Sequence, residues 1–228
     1  MLKQFEIPFA TLTCVTKHSA RYADEVYSFL RDDIQSLQMQ FIPIIDREEI
    51  TQNRQCIIPL PHRYSVTSEA WGTFLTTIFD RWYQWDIGRV YIPLFEDCMA
   101  VLLGHLSSSC VTSKECGRAL AIMPNGALYS CDHYVDSSHE LGNIHTTSLA
   151  KMARCERQSN FAKAKSKTLS PTCQQCQYLR FCYGGCPKDR LSIDGHQPAQ
   201  HHLCSGNAAF YSHAIPKLQQ LATKLYSQ

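Results

Sequence analysis

The sequence predicts an α/β fold whose second half is organised by cysteines rather than by regular secondary structure. Three observations carry this. Strand-like and helix-like apolar patterns alternate through residues 1–104. From His105 onward periodic helix gives way to loops punctuated by thiols, and nine of the twelve cysteines fall between Cys110 and Cys204. A last amphipathic stretch then closes the chain. The 228 residues suffice for one large domain or two small ones, and the change at His105 divides them into 1–104 and 105–228.

Phe5 to Val15 is a β-branched and aromatic run without helical period, read as a buried strand. Ala23, Val26, Tyr27, Leu30, Ile34 and Leu37 then share one helical face. Met39 to Ile45 is a second strand, with Pro43 near its end. Strand, helix and strand at this spacing make a βαβ unit, so the strands are expected to pair in parallel through a right-handed crossover. Residues 46–66 are polar and turn-rich and read as a loop. Trp71, Phe74, Leu75, Ile78, Phe79 and Trp82 define a second helix, capped by Thr67 or Ser68, with Glu69 at the positive end of its dipole. Arg89 to Leu94 reads as a third short strand. Phe95, Met99, Leu102 and Leu103 make a short helix ending at Gly104.

In the second half, Ser107, Ser108 and Ser109 lead into Cys110. Ala119–Met123 and Ala127–Cys131 form a β-hairpin around Pro124-Asn125-Gly126, because Asn-Gly supplies the positive φ such a turn needs. Leu149 to Lys165 is helical, and the basic run Lys151 to Lys167 reads as its solvated face. Tyr211, Ala214, Ile215, Leu218, Leu221, Ala222 and Leu225 mark the closing helix, bent or interrupted at Pro216.

Composition excludes several classes. Apolar content of 44% and charged content of 18% describe a globular chain, not a disordered one. A net charge of +2 gives no reason to expect a nucleic-acid partner. No apolar run approaches the ~20 residues of a membrane span. The opening MLKQFEIPFATLTCV lacks the basic, apolar, small order of a secretory signal. Cysteines crowded into one half, without an export signal, point to thiolates held by metal in a reducing cytoplasm rather than to disulfides.

The densest thiol array is Cys173-x2-Cys176-x5-Cys182-x3-Cys186, followed directly by Pro187. A Cys-x2-Cys step aims two sulfurs at one site, and Gly184 and Gly185 permit close backbone approach. Cys110, Cys116 and Cys131 precede the array and Cys204 follows it, making eight patterned thiols; Cys155 stands apart. Eight suit two four-thiolate sites. Zinc and iron–sulfur clusters both accept four thiolates. Zinc ribbons favour two close Cys-x2-Cys pairs, whereas the array has one and the other spacings are long and irregular. A [4Fe–4S] cube is wider than one ion and tolerates ligands from separate loops, and Cys-Pro ends the ligand run of two-cluster ferredoxins. Spacing favours clusters and leaves zinc and disulfides as alternatives.

In these eight thiols the sequence resembles the SPASM domain of radical S-adenosylmethionine (SAM) peptide-modifying enzymes, and in particular the anaerobic sulfatase-maturating enzymes. Upstream, LTCVTKHSARYADEVYSFLRDD and QFIPII resemble later strands of that family's partial (β/α)6 barrel. The resemblance implies that 1–104 is the C-terminal part of the barrel and 105–228 the auxiliary-cluster domain. It implies two auxiliary [4Fe–4S] clusters, one held by Cys110, Cys116, Cys131 and Cys186, the other by Cys173, Cys176, Cys182 and Cys204. Four-thiolate ligation leaves no iron open to substrate, so such clusters carry electrons. It further implies that Asp132 is the base that deprotonates a substrate cysteine or serine on its way to formylglycine. His133 and Tyr134 receive no role. The implied partners are an unfolded or nascent sulfatase peptide and an electron donor.

The sequence departs from the family in one respect. The Cys-x3-Cys-x2-Cys motif that binds the SAM-cleaving cluster does not occur, and neither does the glycine-rich segment that holds the methionine amino group. The chain is therefore expected to be a fragment lacking the N-terminal half of the barrel, inactive alone, with an exposed edge on its first strand. Two other readings stand beside this one: a SPASM-type enzyme for another peptide modification, or a metal-bearing module that binds peptide without chemistry.

Overall fold

The computed structural model describes residues 3–45, 47–52, 55–61, 63–117, 119–191 and 200–226. The architecture is mixed α/β. Strand β1 (Thr11–Val15) is shorter than the apolar run predicts: Phe5 lies in a 3-10 turn, Ile7 is half exposed, and Pro8 offers no N–H for a ladder. Only Val15 of β1 is buried, while Leu12 is 65% exposed. β1 pairs in parallel with β2 (Met39–Pro43), from Thr11 opposite Met39 to Val15 opposite Pro43. Between them lies α1 (Ala23–Ser28), which runs into a π-helical turn at Phe29–Asp33. That turn shifts the helical register, so Ala23, Tyr27 and Leu30 are buried while Leu37, beyond the helix, is exposed.

Two sequence expectations for this half are corrected. Residues 46–66 contain a β-hairpin, not merely a loop: β3 (Arg47–Gln52) pairs antiparallel with β4 (Gln55–Pro61). The β-branched residues Ile50, Ile57 and Ile58 give these segments strand propensity, and a two-stranded ribbon tolerates Pro59 and Pro61 because its outer edge needs no donor. Conversely, Arg89–Leu94 is a single parallel bridge between Gln38 and Tyr91, not a strand. Pro93 lacks an N–H and opens α3 (Pro93–Leu102), so pairing stops there.

Helix α2 (Ser68–Trp85) is capped by Thr67, whose side chain accepts the Ala70 N–H, and buries Trp71, Phe74, Leu75, Ile78, Phe79 and Trp82. β5 (Ala121–Ile122), β6 (Ala127–Tyr129) and β7 (Glu140–Asn143) form a small antiparallel sheet, with Gly126 at φ +82° in the turn before β6. The predicted helix 149–165 is two: α4 (Leu149–Ala153) and α5 (Glu156–Lys167), separated by Cys155, whose sulfur caps α5 by accepting the Gln158 N–H at 3.4 Å. Two short helices, α6 (Pro171–Gln174) and α7 (Leu179–Cys182), carry part of the thiol array. β8 (Arg190–Leu191) pairs with β9 (Gln200–His201). The closing helix α8 (Cys204–Tyr226) runs through Pro216 without interruption.

One apolar core spans both halves of the chain, joining Val15, Tyr27 and Phe74 to Phe181, Leu203, Phe210 and Leu218. Phe79, Phe95 and Phe210 meet at its centre, with Phe95 and Phe210 stacked at 5.5 Å and Phe79 edge-on to both. α8 reaches this core because α2 and α8 cross at two glycines. A Cβ on Gly72 would lie 2.8 Å from the Gly206 carbonyl, and one on Gly206 would lie 1.9 Å from the Ser68 carbonyl. The Ser68 hydroxyl accepts the Gly206 N–H at 2.8 Å, and Trp71 Nε1 donates to Asn207 Oδ1 at 2.9 Å. Gly206→Ala must push the helices apart, an overpacking cost of about 2–3 kcal/mol. Thermal denaturation should show Tm lowered by roughly 5–10 °C, and an unchanged Tm would refute the tight crossing.

Candidate metal centre

The eight patterned thiols come from four kinds of support. Cys110 and Cys116 sit on the loop after α3, and Cys131 follows β6. Cys173 and Cys182 lie on α6 and α7, with Cys176 between them and Cys186 after the glycines. Cys204 opens α8, so the glycine crossing also places that sulfur.

Asp97, buried on α3, positions the first loop. Its carboxylate accepts Ser107 Oγ at 2.8 Å, the Ser108 N–H at 2.8 Å, Ser108 Oγ at 2.8 Å, the Ser109 N–H at 3.2 Å and Thr112 Oγ1 at 3.0 Å. A buried carboxylate satisfied on both oxygens fixes the chain immediately before Cys110. Sequence reading missed it; the signal was three serines and a threonine following an acid on an apolar helix.

The array turns through three successive left-handed residues, Tyr183, Gly184 and Gly185. Cβ atoms at the two glycines would lie 2.7 Å from Leu169 and 2.2 Å from His201. This turn brings the Gly185 N–H onto the Cys182 carbonyl at 3.0 Å, and the amides of Gly184 and Gly185 work against the burial that raises the Cys182 pKa. The Tyr178 N–H donates to the Cys176 sulfur at 3.4 Å, and the backbone amides of His133 and Lys188 favour the thiolates of Cys131 and Cys186. Amides aimed at sulfur from two residues downstream stabilise thiolate charge.

The thiols interact electrostatically in two groups. Cys116 is coupled to Cys110 and Cys186, and Cys131 to Cys186. Cys204 is coupled to Cys173, Cys182 and Cys176. Those last four also line one cavity of about 480 Å³, its open mouth included. Among the described residues no three His, Cys, Asp or Glu side chains converge closely enough for a single ion. Clusters and zinc both accept four such thiolates. Burial pushes the Cys131 thiol up to about 12, and those of Cys186 and Cys204 up to about 11. Such thiols become thiolates when cationic metal occupies the site.

The other cysteines are not among the eight patterned thiols, although Cys98 lies close enough to Cys182 to feel its charge. Cys14 is exposed on β1, and Cys155 caps α5. Cys98 is buried on α3, where burial raises its pKa far above the ordinary thiol value. The side chain of Cys56 lies outside the described residues.

Asp132 is exposed. It accepts the Cys131 thiol at 3.1 Å and amides of its own turn, and these hold its carboxyl below the usual range. The thiol-donated bond requires a protonated Cys131 and is lost once that sulfur binds metal. Asp132 does not line the large groove beside the thiols; His133 does. This groove, about 1060 Å³ with its mouth, lies between the end of β2 (Gln40 to Pro43), the start of α3, and the thiols Cys182 and Cys186. It touches one thiol from each group.

Lys165 contradicts the solvated-face reading of the basic run, since it is 1% exposed. Its ammonium donates to the carbonyls of Cys110 at 2.7 Å, Val111 at 2.9 Å and Ser113 at 2.5 Å. Arg190 donates to the carbonyls of Gly184 at 3.0 Å, Tyr183 at 3.0 Å and Lys165 at 2.9 Å. Burial lowers the pKa of both cations, while thiols of both groups act in the opposite direction.

Residues 110–177 match the SPASM family, described as an iron-sulfur cluster-binding domain. The chain therefore carries a protein module of the cluster-binding class. Over its whole length it is a relative of the anaerobic sulfatase-maturating enzymes. It is 33% identical to the serine-type anaerobic sulfatase-maturating enzyme of Bacteroides thetaiotaomicron, covering 100% of this chain and 57% of the relative. It is 26% identical to the cysteine-type enzyme of Clostridium perfringens, covering 99% and 59%. The structure of native anSMEcpe with bound AdoMet and Cp18Cys peptide superposes with a TM-score of 0.82 at 27% identity, covering 98% of this chain and 60% of that one. The chain thus spans little more than half the length of these relatives.

Proposed function

We propose that this chain is the auxiliary-cluster portion of a radical SAM enzyme that oxidises a cysteine or serine of a sulfatase peptide to formylglycine. In this reading residues 1–104 are the later βα units of a partial barrel and 105–228 are the SPASM domain. Cys110, Cys116, Cys131 and Cys186 would hold one [4Fe–4S] cluster, and Cys173, Cys176, Cys182 and Cys204 the other. The observation that carries the reading is the cavity ringed by those last four thiols. Four-thiolate clusters would supply one-electron transfer, accepting the electron of a deprotonated substrate radical, which becomes the aldehyde from serine or, from cysteine, a thioaldehyde that water hydrolyses with loss of sulfide.

The chain's own residues would do the rest. The groove receives the peptide, since it is walled by the C-terminal end of β2, where sites of βα folds form, and faces both thiol groups. Phe41, Trp71 and Leu94 supply an apolar wall, and Lys188 and Asp189 supply polar anchors for peptide backbone or side chains. Asp132 lies outside the groove's lining but directly precedes His133, which lines it, and this exposed carboxylate would take the proton of a substrate thiol or hydroxyl that reaches over the groove's rim. No described helix is long and apolar enough to cross a membrane. In this reading thiolate-held clusters and a nascent peptide substrate suit a reducing cytoplasm, with a separate electron donor.

The chain reconstituted anaerobically should be brown and contain iron and sulfide; a colourless zinc protein would reject the reading. Cys186→Ala should lose about half the iron, with the cluster ringed by Cys204 retained. Loss of all iron, or of none, would overturn the assignment of Cys186 to the first group. Without a Cys-x3-Cys-x2-Cys motif the chain should form no 5′-deoxyadenosine from S-adenosylmethionine; detecting that product by chromatography would sink this claim. In a full-length relative, the Asn substitution at the position of Asp132 should cut formylglycine yield about a hundredfold. An unchanged yield would remove Asp132 from the mechanism.

A further inference from the structure

Lys165 and Arg190 are buried or half-buried cations that form no ion pair with a carboxylate among the described residues. A buried charge without a counter-ion is costly, so a negative partner is missing from the description so far. Hydrogen bonding shows that Lys165 is the ammonium. Three carbonyls surround its nitrogen, and only three N–H groups satisfy all of them; a neutral amine would turn a lone pair towards one. Arg190 is always charged. The two cations are joined, because Arg190 Nη1 donates to the Lys165 carbonyl.

Their surroundings identify the partner. Lys165 braces the loop of Cys110, and Arg190 braces the Tyr183–Gly184 turn between Cys182 and Cys186. Lys165 Nζ thus lies 2.7 Å from the backbone of Cys110 in the first group, and Arg190 lies 3.0 Å from the turn that joins Cys182 of the second group to Cys186 of the first. We propose that Lys165 and Arg190 are a shared counter-charge for two anionic metal centres, bonded to the backbone that carries thiols of both groups, so that one cationic pair favours the reduced state of both. This rests on the cluster reading above. A four-thiolate cube is negatively charged and gains one further negative charge on reduction, so a fixed positive charge nearby raises its reduction potential. The pair would thereby favour electron entry from the substrate side. Both are positioning residues that act through the centres and touch no substrate.

The test is a reductive titration with dithionite of the anaerobically reconstituted full chain, followed by electron paramagnetic resonance and iron analysis. Lys165→Gln keeps a donor but removes the charge. At the wild-type midpoint its reduced-to-oxidised ratio should fall about tenfold, read as a midpoint lowered by about 59 mV for a one-electron couple. Both centres should move, and Arg190→Gln should move them in the same direction. Lys165→Arg should restore the midpoint. If Lys165→Gln loses iron, restoration of iron by Lys165→Arg supports the same role, because the charge and not the shape has been returned. Iron-loaded Gln variants with unmoved midpoints would overturn the proposal, as would iron loss that Lys165→Arg does not repair. A wild-type chain that binds neither iron nor sulfide would instead overturn the cluster reading itself.

Discussion

The close crossing of α2 on α8 is the constraint on which the rest of this structure depends. With no side chain at Gly72 or Gly206, backbone meets backbone, and the Gly206 amide reaches the Ser68 hydroxyl at the start of α2. The crossing brings Phe210 onto Phe79 and Phe95, so the last helix completes the core begun by the first strands. It also sets where α8 begins, and its first residue is Cys204. A packing contact in the core is therefore what carries a sulfur to the cavity wall.

The thiol region itself has little regular structure and is held by a few polar anchors. Asp97 ties the Cys110 loop to α3, and Lys165 gathers three carbonyls of that same loop. Arg190 ties the glycine turn to the end of α5. Each anchor satisfies backbone groups that loops would otherwise bury unpaired. Rigid loops are needed here because thiols on mobile segments would have to be ordered anew whenever metal entered.

Sequence reading located the elements whose information is local and periodic. The buried face of α2, the parallel pairing of β1 with β2 and a cap at Thr67 or Ser68, which the structure resolves to Thr67, follow from spacing and residue type. It failed where the deciding contact is distant. Lys165 lies in a run of lysines that looks solvated, and nothing local reveals that its ammonium ends among carbonyls more than fifty residues upstream, 55 in the case of Cys110. Asp97 is similarly bonded to residues one loop further on. The π-helical turn at Phe29–Asp33 displaced Leu37 from its expected face, an irregularity that a fixed helical period cannot represent. The hairpin at 47–61 was hidden by prolines, which a two-stranded ribbon tolerates and a central strand does not. The eight patterned thiols were legible as a pattern, but their division into two groups entered through family resemblance and not through spacing.

Cys186 stands next to the glycine turn in sequence yet is coupled to Cys116 and Cys131. Joined through a common metal centre, those residues would close a loop of several dozen residues while the rest of the array closes a much shorter one. The two closures interlock, because the array belongs to both. Such a link restrains the unfolded chain as a disulfide of the same span does, and its effect grows with the logarithm of loop length. The metal would then act as a cross-link as well as a redox centre. Its loss would release chain entropy over most of the second half at once.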